Sequence, residues 1–417
     1  MKTAMVVFAS EQLLPNLAAV MHWRQNLRRL DAVCIYYTAD EQRSALPARR
    51  LELLLQRLYP GLMIYRSSKP LGITPQDVTQ ALAGWQKVAG PDFQWVINVT
   101  GGLKMMAIGA ASFAFDQGHS LIYRELNGGW FKISRSAKGT EADNLEIPLH
   151  ITDSVSVDTL VSLQCPSPSH YHWSSQEPQP VDLRKVTQAV DSMGLNWRGV
   201  CEKFAEKARA GAFLEHLVAR VLMESGCQHC RTNLRLISAS SSPLEEIDVV
   251  VNRLGRLIIV DCKLGASGGA YIAQMDQASQ RSHELGGLSA VYALVRPNII
   301  LPPAHQALAK ARKLVLIDAS QPTLFPHLLD ALNLQPQTPA ARDFIGAINR
   351  AASRLAATPA PRVVSKPANS NPTSAKIPAR PKRPARPWPN SKHVAAPDCL
   401  TQMEKDLFPD DPQPLRP

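Results

Sequence analysis

Phe93-Gln94-Trp95-Val96-Ile97-Asn98-Val99-Thr100-Gly101-Gly102-Leu103-Lys104 reads as a strand running straight into a glycine turn. Aromatic and β-branched residues suit a pleated, buried surface, so Phe93–Val99 is expected to be extended. Lys104–Asp116 follows at once with a helical pattern. Glycines at such a junction let backbone N–H groups approach an anion closely, and the helix N-terminus adds a favourable dipole. Thr100 and Lys104 add a hydroxyl and a positive charge. A Walker A loop needs a longer glycine loop ending in Lys-Ser/Thr, so ATP hydrolysis is not expected.

The same alternation extends outward through residues 1–145. Strand-like runs fall at Ala4–Ala9, Val33–Tyr37, Leu62–Tyr65, Ser120–Glu125 and Trp130–Ile133, and helical runs at Leu13–Leu30, Arg49–Tyr59 and Pro75–Val88. Strands alternating with helices predict a mostly parallel sheet covered on both faces, a Rossmann-like α/β domain. Ligands of such sheets lie at the carboxyl ends of the strands. There the first strand runs into Ser10-Glu11-Gln12, with Asn16 close behind, matching the Thr100–Lys104 turn.

A second pattern begins at Ala210. Glu246–Val251 and Arg256–Lys263 read as strands joined by Asn252-Arg253-Leu254-Gly255, a turn by composition. Residues two apart on a strand share a face, so Asp261 and Lys263 point the same way, and the hairpin brings Asp248 alongside. Two carboxylates and a lysine suit a hydrolytic centre. The acids hold Mg²⁺ or Mn²⁺ through oxygen, the metal acidifies a water, and the lysine orients that water or steadies an anion. Gly211–Leu222 is an amphipathic helix with Glu215 beside its apolar stripe, placed to add a further metal-ligating carboxylate. A D-x-K triplet is common by chance. The weight lies in its setting, with charges closing strongly apolar strands where burial is costly without a metal or partner. A helix over Gln274–Leu285 would lie along this site, and Gln277 and Arg281 sit one turn apart on it. Strands at Ala290–Val295 and Leu314–Ile317 complete this domain.

Between the two patterns, residues 146–205 form a connector. In it Asp153–Leu163 reads as extended, Pro166–Pro180 as loop and Val181–Met193 as helix. Residues 336–417 are expected to be mostly a disordered, Pro-rich basic tail, since about 14 of the 33 prolines lie beyond residue 355. The net charge of +11 favours polyanionic partners. Much of it is local, however, because residues 351–417 hold about 11 Lys/Arg against about 5 Asp/Glu. Seven scattered cysteines do not form a disulfide framework, and Cys227-Gln228-His229-Cys230 lacks the second pair that a zinc site needs. Glu11 ends the first apolar run too early for a signal peptide, and no apolar run is long enough for a membrane helix. A cytoplasmic protein with no membrane contact is expected.

The order helix Glu215, strand Asp248, then Asp261-x-Lys263 resembles the restriction-endonuclease-like PD-(D/E)xK fold, with Asp261 where Glu is more frequent. The Thr100-Gly101-Gly102-Leu103-Lys104 turn on a Rossmann-like sheet resembles the CARF sensor of CRISPR-associated proteins. Together they resemble the ancillary CRISPR nucleases that pair these domains, over residues 1–145 and 206–335. The resemblance implies a homodimer that binds a cyclic oligoadenylate, commonly cyclic tetra-adenylate, and then cleaves RNA or DNA with Mg²⁺ or Mn²⁺. Asp248, Asp261, Lys263 and Glu215 match the nuclease motif, with Asp248, Asp261 and Glu215 as metal ligands. Ser10, Gln12, Thr100, Gly101, Gly102 and Lys104 match the sensor's ligand-contacting turns. Two other readings compete: a regulator that grips nucleic acid without cutting it, and a ring nuclease that cleaves its own cyclic nucleotide.

Overall fold

Apolar runs too short for helices, separated by amphipathic ones, build the first lobe of the computed structural model. It describes residues 2–27, 30–125, 129–136, 139–147, 150–164, 171–193, 197–205, 210–238, 243–264, 271–286, 290–297 and 302–357. The elements of this lobe are β1 (Lys2–Phe8), α1 (Leu14–Met21), β2 (Ala32–Tyr36), α2 (Leu46–Leu58), β3 (Met63–Arg66), α3 (Pro75–Ala89), β4 (Phe93–Asn98), α4 (Lys104–Asp116), β5 (Ser120–Arg124), β6 (Trp130–Ser136) and β7 (Gly139–Asn144). Strand order is β3-β2-β1-β4-β5-β6-β7, parallel through β5 and antiparallel beyond it. Strand β1 is buried on both faces: Met5 and Val7 pack with α1 and α2, while Ala4, Val6 and Phe8 pack with α3 and α4. That double burial explains its uninterrupted apolar sequence. Helix α3 starts where Thr74 and Asp77 cap each other and Pro75 supplies the first turn.

The connector differs from its reading. Asp153–Leu163, expected to be extended, closes α5 (His150–Asp153) and forms most of α6 (Val157–Gln164). Alternating valines suggested a strand, but Val157, Leu160 and Val161 make a helical stripe, and Ser156 caps it by accepting a hydrogen bond from the Thr159 N–H at 3.1 Å. Within the segment read as loop, β8 (Tyr171–Gln176) pairs with the second sheet, and residues 166–170 lie outside the described residues. Helices α7 (Leu183–Met193) and α8 (Trp197–Phe204) follow.

The second lobe contains α9 (Ala210–Met223), β9 (His229–Ser238), β10 (Pro243–Arg253), β11 (Arg256–Cys262), α10 (Tyr271–Gly286), β12 (Val291–Arg296), α11 (Pro303–Ala311), β13 (Leu314–Asp318), α12 (Leu324–Ala331) and α13 (Pro339–Ala357). Its strand order is β13-β12-β11-β10-β9-β8, with β11, β12 and β13 parallel and the rest antiparallel. Both lobes are therefore α/β, each around its own mixed sheet. The segment Pro339–Ala357, read as part of the tail, is a helix whose Ala341, Phe344 and Ile348 enter the core beneath the second sheet. The tail beyond residue 357 lies outside the described residues. One apolar core runs from β1 and α1 through α6 to Val250, Ile259 and Tyr292 of the second sheet. Among the described residues, no helix is long and apolar enough to cross a membrane.

Candidate functional site

Leu254 (φ 53°) and Gly255 (φ 73°) both take left-handed conformations, the geometry of a tight two-residue hairpin. They fix the register of β10 on β11, with Arg253 opposite Arg256 and Val249 opposite Val260. One step further, Asp248 lies across from Asp261. Ile258, Val260 and Cys262 enter the core under α9, which turns Ile259, Asp261 and Lys263 to the other face. Each such apolar side chain contributes about 1.5–3 kcal/mol on burial. A one-residue slip would reverse every face and is excluded.

The three charged groups meet. Lys263 Nζ stands 3.1 Å from Asp248 Oδ2 and 3.2 Å from Asp261 Oδ1, and the Cys262 N–H donates to Asp248 Oδ2 at 2.6 Å. The Asp248 side chain is only 5% exposed, against 46% for Lys263, so the ammonium reaches solvent while the acids stay inside. Burial raises the Asp248 carboxyl, and its hydrogen bond to Asp261 and the negative charge there raise it further. Burial pushes Asp261 the same way, but the Asp248 hydrogen bond and the Lys263 charge outweigh it and hold Asp261 below the usual range. The two neighbouring carboxylates are thus pushed in opposite directions, Asp248 up and Asp261 down. For Lys263, desolvation is outweighed by both acids, so its ammonium form is held firmly.

Glu215, on α9, comes within electrostatic reach of this cluster from the opposite layer. Burial first, and then the charge of Asp248, pushes its carboxyl up to about 8. Arg296, at the end of β12, is 7% exposed and acts on Asp261. The hydroxyl of Tyr292 on the same strand accepts a hydrogen bond from Arg281 of α10, so Arg281 turns toward the sheet. Gln277 is exposed. Among the described residues, no three His, Cys, Asp or Glu side chains converge as a ready-made metal cage. The donor chemistry nonetheless fits a hard divalent cation: the oxygens of two neighbouring buried carboxylates, crowded by burial and by each other, are relieved by a cation. The Cys227 and Cys230 thiols are buried and free, and burial raises both.

The second cluster lies in the first lobe. Strands β1 and β4 are parallel neighbours, and the chain leaves β1 toward α1 and β4 toward α4, so their ends form the crevice of an open α/β sheet. Ser10 and Gln12, both partly buried, lie past β1, and Thr100–Lys104 lie past β4. Two buried asparagines tie the turns together. Asn98 Nδ2 donates to Asn16 Oδ1 at 2.9 Å, Asn16 Nδ2 donates to the Phe8 carbonyl at 3.0 Å, and the Thr100 N–H donates to Asn98 Oδ1 at 3.1 Å. The Thr100 hydroxyl accepts from the Arg124 N–H at 2.9 Å, which gives it a scaffold role. A Cβ on Gly101 would lie 2.1 Å from the Phe8 carbonyl oxygen, and Gly102 has φ +80°. Gly101→Ala is therefore expected to destabilise the protein by about 1–3 kcal/mol, the cost of overpacking, read as a lower urea midpoint at unchanged slope. Gly102 and Lys104 are exposed at the mouth.

Sequence reasoning passed over two cations. Arg124 ends β5 beside this crevice, with its guanidinium 6.0 Å from the Trp130 ring centroid. Burial lowers its pKa, and no carboxylate pairs with it among the described residues. Arg296 is the other. Each closes an apolar strand, the same signal that singled out Asp261, but only sheet order reveals their neighbours.

No family model and no curated protein matches the chain. Solved structures do resemble it. Can2 from Sulfobacillus thermosulfidooxidans, in complex with cyclic tetra-adenylate, is 15% identical with a TM-score of 0.57, over 79% of this chain and 99% of its own. Protein VC1899 from Vibrio cholerae is 15% identical with a TM-score of 0.57, over 83% and 98%. A type III CRISPR defence DNA nuclease activated by cyclic oligoadenylate is 19% identical with a TM-score of 0.52, over 80% of this chain and 52% of its own. At these identities the likeness is one of fold, and it spans both lobes.

Proposed function

We propose that this chain is a CARF-type sensor joined to a PD-(D/E)xK nuclease, which cleaves DNA or RNA with Mg²⁺ or Mn²⁺ once a cyclic oligoadenylate has bound. The observation that carries the reading is the Asp248–Lys263–Asp261 cluster on a hairpin sharing one core with the crevice-bearing sheet. Residues 1–145 serve as sensor, 146–205 as connector and 206–335 as nuclease. The likeness to Can2 and to the CRISPR DNA nuclease supports both halves, and makes cyclic tetra-adenylate and DNA the first ligand and substrate to test. The setting is type III CRISPR antiviral defence in the cytoplasm.

Asp248, Asp261 and Glu215 are the residues to hold the metal. When bound, the cation supplies a water of lowered pKa and neutralises charge on the scissile phosphate. Asp248 and Asp261 are held with their oxygens together by the Cys262 N–H and by Lys263. The Lys263 ammonium, half in solvent, steadies the phosphate oxygen on which charge develops. Against its burial, the Asp248 hydrogen bond, the Lys263 charge and, last, Arg296 favour the ionised form of Asp261.

In the sensor, Lys104 and Arg124 provide positive charge at the crevice, while Ser10, Gln12 and the backbone of Thr100–Gly102 offer hydrogen bonds. Met105 and Ile108, three residues apart at the start of α4, and Leu103 just before it are each about half exposed, apolar surface adjoining that crevice. It supports a homodimer that closes over one ring. Lys104→Ala is expected to weaken binding of cyclic tetra-adenylate by about tenfold or more, the worth of one charge-assisted contact, in isothermal titration. Cleavage at saturating activator should be preserved, and an unchanged affinity would sink the sensor assignment.

A further inference from the structure

The tip of the catalytic hairpin is docked onto the first lobe. A Cβ added at Gly255 would lie 2.9 Å from Leu14 Cδ2 and 2.9 Å from Thr152 Cβ, so the turn backbone sits directly against α1 and α5. The Asn252 amide donates to the carbonyls of Thr152 at 2.8 Å and Val155 at 2.7 Å, and the Leu254 N–H donates to the Asp153 carboxylate. Asn252 is wholly buried, yet its Oδ1 meets no hydrogen-bond donor among the described residues. A buried orphan acceptor costs free energy, so this joint is not at its best in the present arrangement.

Each end of the joint leads to one of the sites. Leu14 opens α1, two residues before Asn16, whose side chain is bonded to Asn98 and the Phe8 carbonyl. Through Asn98 it is tied to the Thr100 turn. Ser10 and Gln12 run straight into the same helix. On the other side, six residue steps along β11 separate Gly255 from Asp261, about 20 Å of strand at the usual rise. Both strands are packed along that length by Val249, Val251, Ile258 and Val260, so the hairpin moves as one piece.

We propose that the contact of Leu14, Thr152 and Asp153 with the Asn252–Gly255 tip couples the crevice to the catalytic cluster. An anion drawn to the Ser10 and Thr100 turns shifts the N-terminal end of α1, and the docked tip re-aims β10 and β11, hence Asp248 against Asp261. The route rests on the ligand-gated reading above. Such coupling needs an element that both sites can bias, and the hairpin tip, bonded to Thr152, Asp153 and Val155 and packed on Leu14, is the element placed between them.

The test is thermodynamic reciprocity in the full-length protein. Cyclic tetra-adenylate affinity is titrated with and without a DNA duplex held uncleaved in Ca²⁺, and Mn²⁺-dependent cleavage is measured with and without activator. Wild type is expected to bind activator more tightly in the presence of duplex, by the same factor with which activator tightens duplex. Leu14→Ala, and separately Asp153→Ala at the more accessible edge, should cut that factor and the activator's stimulation by about tenfold, within the range of coupling free energies. Activator-free cleavage should stay as in wild type. Thermal melts show whether Leu14→Ala still folds, and Asp153→Ala carries the test if it does not. Stimulation that survives intact in folded variants overturns the route alone. A wild-type chain that neither binds nor responds to activator overturns the ligand-gated reading and the route with it.

Discussion

Lys263→Ala is expected to slow activator-dependent cleavage by about 10²–10³-fold, the loss seen when one preorganised electrostatic group is removed. Asp261→Ala should bring it to background. The asymmetry follows from geometry. Lys263 contacts both aspartates but keeps nearly half its surface in water, where it can meet a phosphate, so its removal leaves both carboxylates in place, with Asp248 still held by the Cys262 N–H. Without Asp261 the pair is gone: Asp248 loses the partner that, after burial, does most to raise its carboxyl, and one carboxylate is left beside Lys263 where a cation would take two. Neither residue lies near the crevice turns, so activator affinity should match wild type by titration. Cleavage that survives Asp261→Ala would place the chemistry elsewhere.

Removing divalent metal should have a comparable effect, with a second signature in stability. Chelation is expected to abolish cleavage. The metal-free protein should also melt lower as pH rises, and the sign follows from the acids. Glu215 is raised from 4.5 to about 8, and Asp248 is raised as well. An acid whose folded pKa is raised stabilises the fold only while protonated. That advantage is full below its unfolded pKa and is lost as pH climbs toward the folded value. Thermal midpoints should therefore fall between about pH 5 and pH 8, and Mn²⁺ should restore them most at the alkaline end. Asp261 is shifted the other way, so its contribution fails only in more acidic solution. Lys263, raised, loses its contribution only far above this window. The double substitution Asp248→Asn, Glu215→Gln should flatten the profile and remove the response to Mn²⁺. A wild-type midpoint that rises steadily with pH would show that these acids are not crowded as described.

The parallel half of the first sheet was legible because its strands are buried on both faces and read as plain apolar runs. The Asp261-x-Lys263 face was legible because a pleated strand with period two leaves no alternative. Helix α6 was not, since alternating β-branched residues mimic a strand until the Ser156 cap is taken into account. Strand β8 escaped notice for a different reason. It is an edge element recruited from the connector, and only its partner β9 makes it a strand. Long-range features were the least accessible: Glu215 reaching the cluster from the opposite layer, Arg296 on a neighbouring strand, and the hairpin tip seated on α1. All depend on register and layer order, which local sequence does not encode.

The most direct test of the account is cleavage of labelled RNA, single-stranded DNA and supercoiled plasmid in Mn²⁺, with and without cyclic tetra-adenylate. At least one substrate is expected to be cut only when metal and activator are both present, and Asp261→Ala is expected to abolish the cutting. Cutting at the same rate without activator, or none with both present, would contradict the account.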